Sequence, residues 1–255
     1  MALAMLGAFS GCSNTGDGGS ASGGSDSDTI RIGGLAPLTG DAASYGVAVN
    51  NAIQMAVEDI NANGGIDGKQ IKYIYYDEKG DTTEATNAYN KLVQDDKVVA
   101  IIGDVTTKPT LAVAQTSQQD NIPIITATAT AAEVTLTGPN IFRACFTDPF
   151  QGELMASYAS EKLGATKVAV LSDMADDYSS GIAEAFVAKA EELGMQVVAD
   201  EKYQDGDVDF KSQLTNIKGQ NPDVLFLPVY YEDLRLISAQ AKEVGVTAQL
   251  CGADG

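Results

Sequence analysis

Histidine is absent from this sequence. Ser-His-Asp triads, Cys-His pairs and most catalytic zinc sites need an imidazole, so those mechanisms are excluded. Tryptophan is absent as well. The three cysteines, at 12, 145 and 251, form no Cys-x-x-Cys pair, so no metal or redox site of that type is expected. Cys145 and Cys251 read as small buried apolar residues, with a bridge between them left open. Positive charge is scarce: 16 Lys and Arg stand against 35 Asp and Glu, a net charge of −19. Phosphate backbones need a basic surface, so nucleic acid is not an expected partner. Beyond the N-terminus no run approaches the roughly 18 apolar residues that span a bilayer. The first turn, IGGLAPLTG, lacks Gly-x-Gly-x-x-Gly, and no Gly-x4-Gly-Lys-Ser/Thr occurs, so neither a dinucleotide nor a P-loop site is supported. No cofactor and no metal are expected.

The N-terminus has its own character. MALAMLGAFSG is apolar and small, and SNTGDGGSASGGSDSD after it is nearly pure Ser, Gly and Asp. The first piece reads as the end of a secretory h-region and the second as a flexible linker. Phe9-Ser10-Gly11-Cys12 resembles a bacterial lipobox, with Phe where Leu is usual and no Lys or Arg ahead of it. The expected organisation is a signal remnant over 1–12 with Cys12 lipidated, and a linker over 13–28. Two lobes follow, over 29–142 and 143–255.

From residue 29 short β-like runs alternate with helical ones. The strand-like runs are 30–36, 71–77, 98–104, 122–126, 141–146, 167–173, 196–203, 224–229 and a last one near 248–252. The segments between them carry apolar residues at helical spacing, as in Val49, Ile53, Ala56, Val57 and Ile60, closed by Gly64-Gly65. Such alternation predicts parallel sheets covered on both faces. The series restarts near 141–150, so the fold class is α/β with two doubly wound lobes and a cleft between them.

Ligands of open α/β sheets bind beyond the carboxyl ends of the strands. Those positions hold Tyr45, Thr106, Thr107, the run Thr126 to Thr130, Asp173, Asp176, Asp177, Tyr178, Tyr230, Tyr231 and Asp254. The set contains hydroxyls, rings and carboxylates but no nucleophile–base pair, so it predicts binding rather than catalysis. Asp95-Asp96 and Asp176-Asp177 read as solvated surface or caps. The TATAT run is the most specific stretch. Threonine hydroxyls and N–H groups at a strand-to-helix turn suit a carboxylate, its carbonyls suit an ammonium, and Asp254 could neutralise that ammonium. The alternative is that Thr128 and Thr130 only cap the next helix.

GGLAPLTGDAASYG, AVEDINANGGIDGKQI, YYDEKGDTTEATNAYNKLV, VVAIIGDVTTKPTLAVA, PIITATATAAEVT, IFRACFTDPFQG and VAVLSDMADDYSSG resemble the leucine/isoleucine/valine-binding family of type I substrate-binding proteins of ABC transporters. The resemblance covers about 30–255. It implies two hinged lobes closing on an amino acid, no catalysis, and delivery to permease subunits outside the membrane or in the periplasm, with membrane contact only through a lipid anchor. By position it implies ligand contacts from Thr107, Thr128, Ala129 and Thr130, from Tyr45, Tyr178 and Tyr230 or Tyr231, and from Asp254, where the family usually has Glu. Ser179 stands where Gly is common. It also implies a second lobe left incomplete at residue 255, with apolar surface exposed. A sensor domain of the same fold, or a binder of amides or other small carboxylates, is the alternative.

Overall fold

The structure, a computed structural model, describes residues 29–255; Cys12, the lipobox and the linker lie outside the described residues. Two parallel sheets follow one another along the chain.

The first sheet has the order β2-β1-β3-β4-β5. Its strands are β1 (Thr29–Ala36), β2 (Gln70–Asp77), β3 (Ala100–Ile102), β4 (Ile124–Thr126) and β5 (Ile141–Arg143). The side-chain period of two divides their residues between the faces. Leu35, Ile101, Ile124 and Ile141 face a core closed by Ala85, Tyr89 and Leu92 of α2 (Thr82–Gln94) and Val113 and Ala114 of α3 (Thr107–Asp120). α2 starts where it does because the Asp81 carboxylate accepts the Thr83 and Glu84 N–H groups at 2.8 and 2.9 Å.

Among the described residues, the other face is covered only by α1 (Ala43–Ala62). The helix ends at Gly64 and Gly65, both at positive φ, with the Gly65 N–H on the Ile60 carbonyl at 2.9 Å. Between α1 and the sheet runs an apolar trough of about 660 Å³ lined by Ile53, Val57, Ile102, Ile125 and Phe142 among others. Ile125 is 41% and Phe142 51% exposed in this trough.

The second sheet, β7-β6-β8-β9, contains β6 (Lys167–Asp173), β7 (Gln196–Tyr203), β8 (Val224–Leu227) and β9 (Gln249–Gly252). Both faces are covered. Val168, Val170, Val224 and Phe226 meet α5 (Asp148–Glu161) and α6 (Asp177–Glu192), where Phe186 stacks on Phe226 at 4.3 Å between ring centroids. Ala169, Leu171, Leu225 and Leu227 meet α7 (Lys211–Gln220) and α8 (Tyr231–Val244). A short helix, α4 (Glu133–Leu136), joins β4 to β5. No helix among the described residues is long and apolar enough to cross a membrane. Cys145 and Cys251 are free thiols, half-buried rather than buried.

Candidate functional site

The carboxyl ends of both sheets face each other across a cleft. Tyr45 reaches it because α1 starts against the turn after β1: a Cβ on Gly46 would collide with the Pro37 carbonyl oxygen, so the neighbouring position must be glycine. Tyr230 caps α8 and Tyr178 sits in the first turn of α6, whose N-cap is Asp176. Tyr178 and Tyr230 stack with centroids 4.7 Å apart and planes 11° off parallel, and Tyr45 approaches Tyr230 at 6.1 Å. Together with Val105, Thr106, Thr128, Asp254 and Gly255 these rings enclose a cavity of about 70 Å³.

The polar contacts fix the wall. The Tyr178 hydroxyl donates to Asp254 Oδ1 at 2.8 Å and accepts the Gly255 N–H at 2.8 Å. The Asp254 N–H donates to Gln151 Oε1 at 3.1 Å. Burial first, then the Asp254 charge, pushes the Tyr178 hydroxyl far above its ordinary value, and burial does the same for Tyr230. Both are therefore neutral, and the Tyr178 hydroxyl is a donor. The Thr107 N–H, at the amino end of α3, faces the Tyr230 hydroxyl, so that helix end opens onto the cleft.

Of the residues expected from sequence, Tyr45, Thr128, Tyr178, Tyr230 and Asp254 line one cavity. Tyr231 does not line it; its ring packs edge-on to Tyr45 at 5.2 Å, behind the wall. Thr107 is 1% exposed at the start of α3, and its hydroxyl has no partner. In the TATAT turn, Thr126 Oγ1 donates to the Asp104 carbonyl at 2.5 Å and accepts the Ala129 N–H at 3.0 Å. The Thr128 hydroxyl donates to the Val105 carbonyl at 2.5 Å. The Ala129 N–H is therefore already engaged. Neither Thr128 nor Thr130 provides a side-chain cap for α4, whose N-cap is Ala132. Thr130 is buried, with its hydroxyl beside the Asp148 carboxyl.

Sequence reasoning assigned no role to Asp148 or Gln151. Asp148 is 1% exposed at the start of α5, and the Thr130 hydroxyl lies beside its carboxyl. Burial pushes its carboxyl up to about 7; the charges of Asp254 and Asp176 add to this, while the Thr130 hydroxyl and Arg143 oppose it. Gln151 Nε2 is also buried and unpartnered. The Asp-Pro pair was legible as a helix start, but nothing in the sequence marked its burial. A second hollow of about 260 Å³ shares Thr106 and Tyr230 with the cavity and carries Asp41, Asp173, Asp176, Asp205, Glu232 and Asp233 against Lys79 and Lys108. That excess of carboxylates favours cationic groups near the cleft and disfavours simple anions.

Comparison with known proteins agrees with this geometry. Residues 29–254 match the family model described as periplasmic binding protein. The chain belongs to that family. It is 33% identical over 227 residues to the Leu/Ile/Val-binding protein BraC3 of Rhizobium johnstonii, covering 89% of this chain and 61% of that one. It is 29% identical to the Leu/Ile/Val-binding protein of Escherichia coli K12, covering 89% and 62%. Among solved structures, the branched-chain amino acid transporter substrate-binding protein LivJ of Streptococcus pneumoniae, in complex with isoleucine, superposes with a TM-score of 0.82 at 38% identity, over 88% of this chain and 64% of that one. A solute-binding protein of Rhodopseudomonas palustris in complex with 3,4-dihydroxybenzoic acid gives 0.78 at 26% identity, covering 88% and 62%. The chain thus spans about three fifths of the length of the relatives it matches. The α/β architecture is that of type I periplasmic binding proteins, a family of binding proteins.

Proposed function

We propose that the cleft binds an aliphatic α-amino acid of the leucine, isoleucine or valine type as its zwitterion, and presents it to the permease of an ABC transporter. One observation carries this reading. A hydroxyl without an acceptor, on Thr107, and a carboxyl whose nearby donor is the Thr130 hydroxyl, on Asp148, are buried beside a cleft walled by tyrosine rings. A zwitterion is the ligand class that completes both kinds of group at once. Its carboxylate lies at the amino end of α3 with the Thr107 hydroxyl, and its ammonium goes to Asp148 and Asp254. Tyr45, Tyr178 and Tyr230 supply an apolar wall for the side chain. Leu/Ile/Val-binding relatives and the isoleucine complex of LivJ support the choice. The second lobe carries Tyr178, Tyr230 and Asp254 onto a ligand held by the first, so binding couples to closure. A ~300 Å³ site, the low end for small-molecule pockets, exceeds the cavity present, and entry therefore requires the two sides to part. Lipidation at Cys12 and a location on the outer face of a bacterial membrane or in the periplasm belong to the same reading.

A thermal-shift panel on the full chain, with the standard amino acids and 4-hydroxybenzoate, tests it. The expected result is a rise confined to Leu, Ile and Val, since a ligand at a hundred times its Kd adds about 2.7 kcal/mol. A rise with 4-hydroxybenzoate alone, or with no amino acid in a protein that melts cooperatively, overturns it.

A further inference from the structure

Two buried carboxyl groups stand behind the cleft and take no direct part in it. Glu78 follows β2 and Asp104 follows β3, and both are 0% exposed. One oxygen of each is committed: Glu78 Oε2 accepts the Gly80 N–H at 2.8 Å and Asp104 Oδ1 accepts the Val105 N–H at 2.6 Å. The remaining oxygens, Glu78 Oε1 and Asp104 Oδ2, are buried and receive no donor, and the two carboxyls lie within hydrogen-bonding reach of each other. Two carboxylates in that position repel each other in a dry site, whereas one shared proton turns the repulsion into an O–H···O⁻ hydrogen bond.

We infer that Glu78 and Asp104 share one proton, and that this bond is a positioning device for the amino-acid cleft. The link to the cleft is short. Asp104 begins the segment Asp104–Thr107 that leads into α3, its carbonyl accepts the Thr126 hydroxyl at 2.5 Å, and the next carbonyl, of Val105, accepts the Thr128 hydroxyl at 2.5 Å. Val105, Thr106 and Thr128 line the cavity. A proton lost from the pair pushes Asp104 away from Glu78 and shifts both cleft turns.

The surroundings keep the proton in place. A third carboxylate, Asp77, stands beside the pair, and its own oxygens take the Leu38, Thr39 and Lys79 N–H groups and the Thr39 hydroxyl. On the neighbouring helix α2, Asp81 caps the first turn, and Glu84 meets Lys79 at 3.8 Å. On α3, Lys108 is 3.9 Å from Asp205. β4 contributes the uncharged Thr126. Burial raises both carboxyls above the ordinary range; the Asp104 charge raises Glu78 further, while the hydrogen bond with Glu78 lowers Asp104.

The effect on binding rests on the amino-acid reading; the shared proton does not, and the test separates them. The full chain and Glu78→Gln are compared by infrared difference spectroscopy in D2O, by melting without ligand, and by L-isoleucine affinity, between about pH 6 and 10, the range into which burial can lift a carboxyl. A protonated-carboxyl carbonyl band is expected above neutral pH in the wild type and absent in E78Q, whose amide donates to Asp104 without titrating. The wild type is expected to lose melting temperature with rising pH more steeply than E78Q, and to lose several-fold more affinity for L-isoleucine over the same range. Absence of the band, or pH profiles of E78Q that parallel the wild type, overturns the inference. If neither protein binds L-isoleucine while the band and the melting difference are present, the proton assignment stands and the ligand assignment falls.

Discussion

Removing the Thr107 hydroxyl should move stability and affinity in opposite directions. Thr107→Val replaces one methyl-and-hydroxyl pair by two methyls of nearly the same shape. In the ligand-free protein the hydroxyl is buried, 1% exposed, and makes no hydrogen bond. An unsatisfied buried polar group costs about 1–3 kcal/mol, so its replacement by a methyl is expected to be neutral or to stabilise by up to roughly 1 kcal/mol. In the proposed complex the same hydroxyl would donate to the ligand carboxylate. Hydrogen bonds to charged groups contribute about 1.5–3 kcal/mol, so the affinity should fall by roughly ten- to 150-fold. Calorimetric titration with L-isoleucine gives the second quantity and urea denaturation of the ligand-free chain gives the first. An ordinary structural threonine gives the reverse result, lower stability with unchanged affinity. That outcome would refute both the orphaned state of the hydroxyl and its place in the site.

Asp148 titrates from a raised position of about 7, and only its ionised form pairs with an ammonium. Affinity for L-isoleucine should therefore rise as pH increases through about 7, and Asp148→Asn should bind weakly with no such rise, as titration at several pH values would show. The free protein should behave oppositely. A carboxyl raised on folding contributes stability below its unfolded pKa that is lost as pH climbs through the folded one, and D148N should flatten that part of the stability profile. Phe186→Ala removes a fully buried ring stacked on Phe226 in the second sheet's core, and should cost about 3–5 kcal/mol by urea denaturation. Asp81→Ala frees two N–H groups at the start of α2 and should cost ~1 kcal/mol, leaving isoleucine affinity within twofold if α2 only supports the first sheet.

The order of the elements was legible because periodicity reports which residues face a core. β6 (167–173), β7 (196–203) and α8 (231–244) have the limits read from sequence. β3 and β4 are shorter than the apolar runs 98–104 and 122–126 that contain them, because apolarity persists past the last ladder partner. Val98 shows this: it is buried against α2, outside the strand, with its N–H on the Leu92 carbonyl. In the cleft, the tyrosines and Asp254 were reached through strand ends and family resemblance. Asp148 was not, because its burial comes from α6, where a Cβ on Gly181 would lie 3.6 Å from Asp148 Oδ2. The Glu78–Asp104 contact was less visible still. β2 and β3 do not pair; β1 lies between them, and only the sheet order brings their carboxyl ends together.

That sheet order also explains where the polar groups go unsatisfied. Among the described residues, the buried side-chain atoms without a partner belong to Glu78, Asp104, Thr107, Thr130, Asp148 and Gln151. Glu78, Asp104, Thr107 and Thr130 follow the carboxyl ends of β2, β3 and β4, while Asp148 and Gln151 lie on α5, which packs on the second sheet, so the demand gathers where the two sides meet. Elsewhere the buried polar side chains are engaged, as Ser179 is by the Asp173 N–H at 2.9 Å. Folding alone gives no reason for such a concentration, since each unsatisfied group costs free energy that an apolar residue of the same shape avoids. A ligand does give a reason, because it supplies donors and acceptors that the chain lacks. The distribution assigns the two sides different work. The first side holds the unpartnered Thr107 hydroxyl, and the second brings tyrosine rings, the buried Asp148 and the already hydrogen-bonded Asp254 to meet the ligand. Thr107→Val and Tyr178→Phe should accordingly differ. The first gains stability and loses affinity. The second loses stability in the ligand-free protein as well, because it breaks the bonds from Tyr178 to Asp254 and Gly255. Equal responses from the two variants would mean that the Thr107 hydroxyl is not held unsatisfied for a ligand.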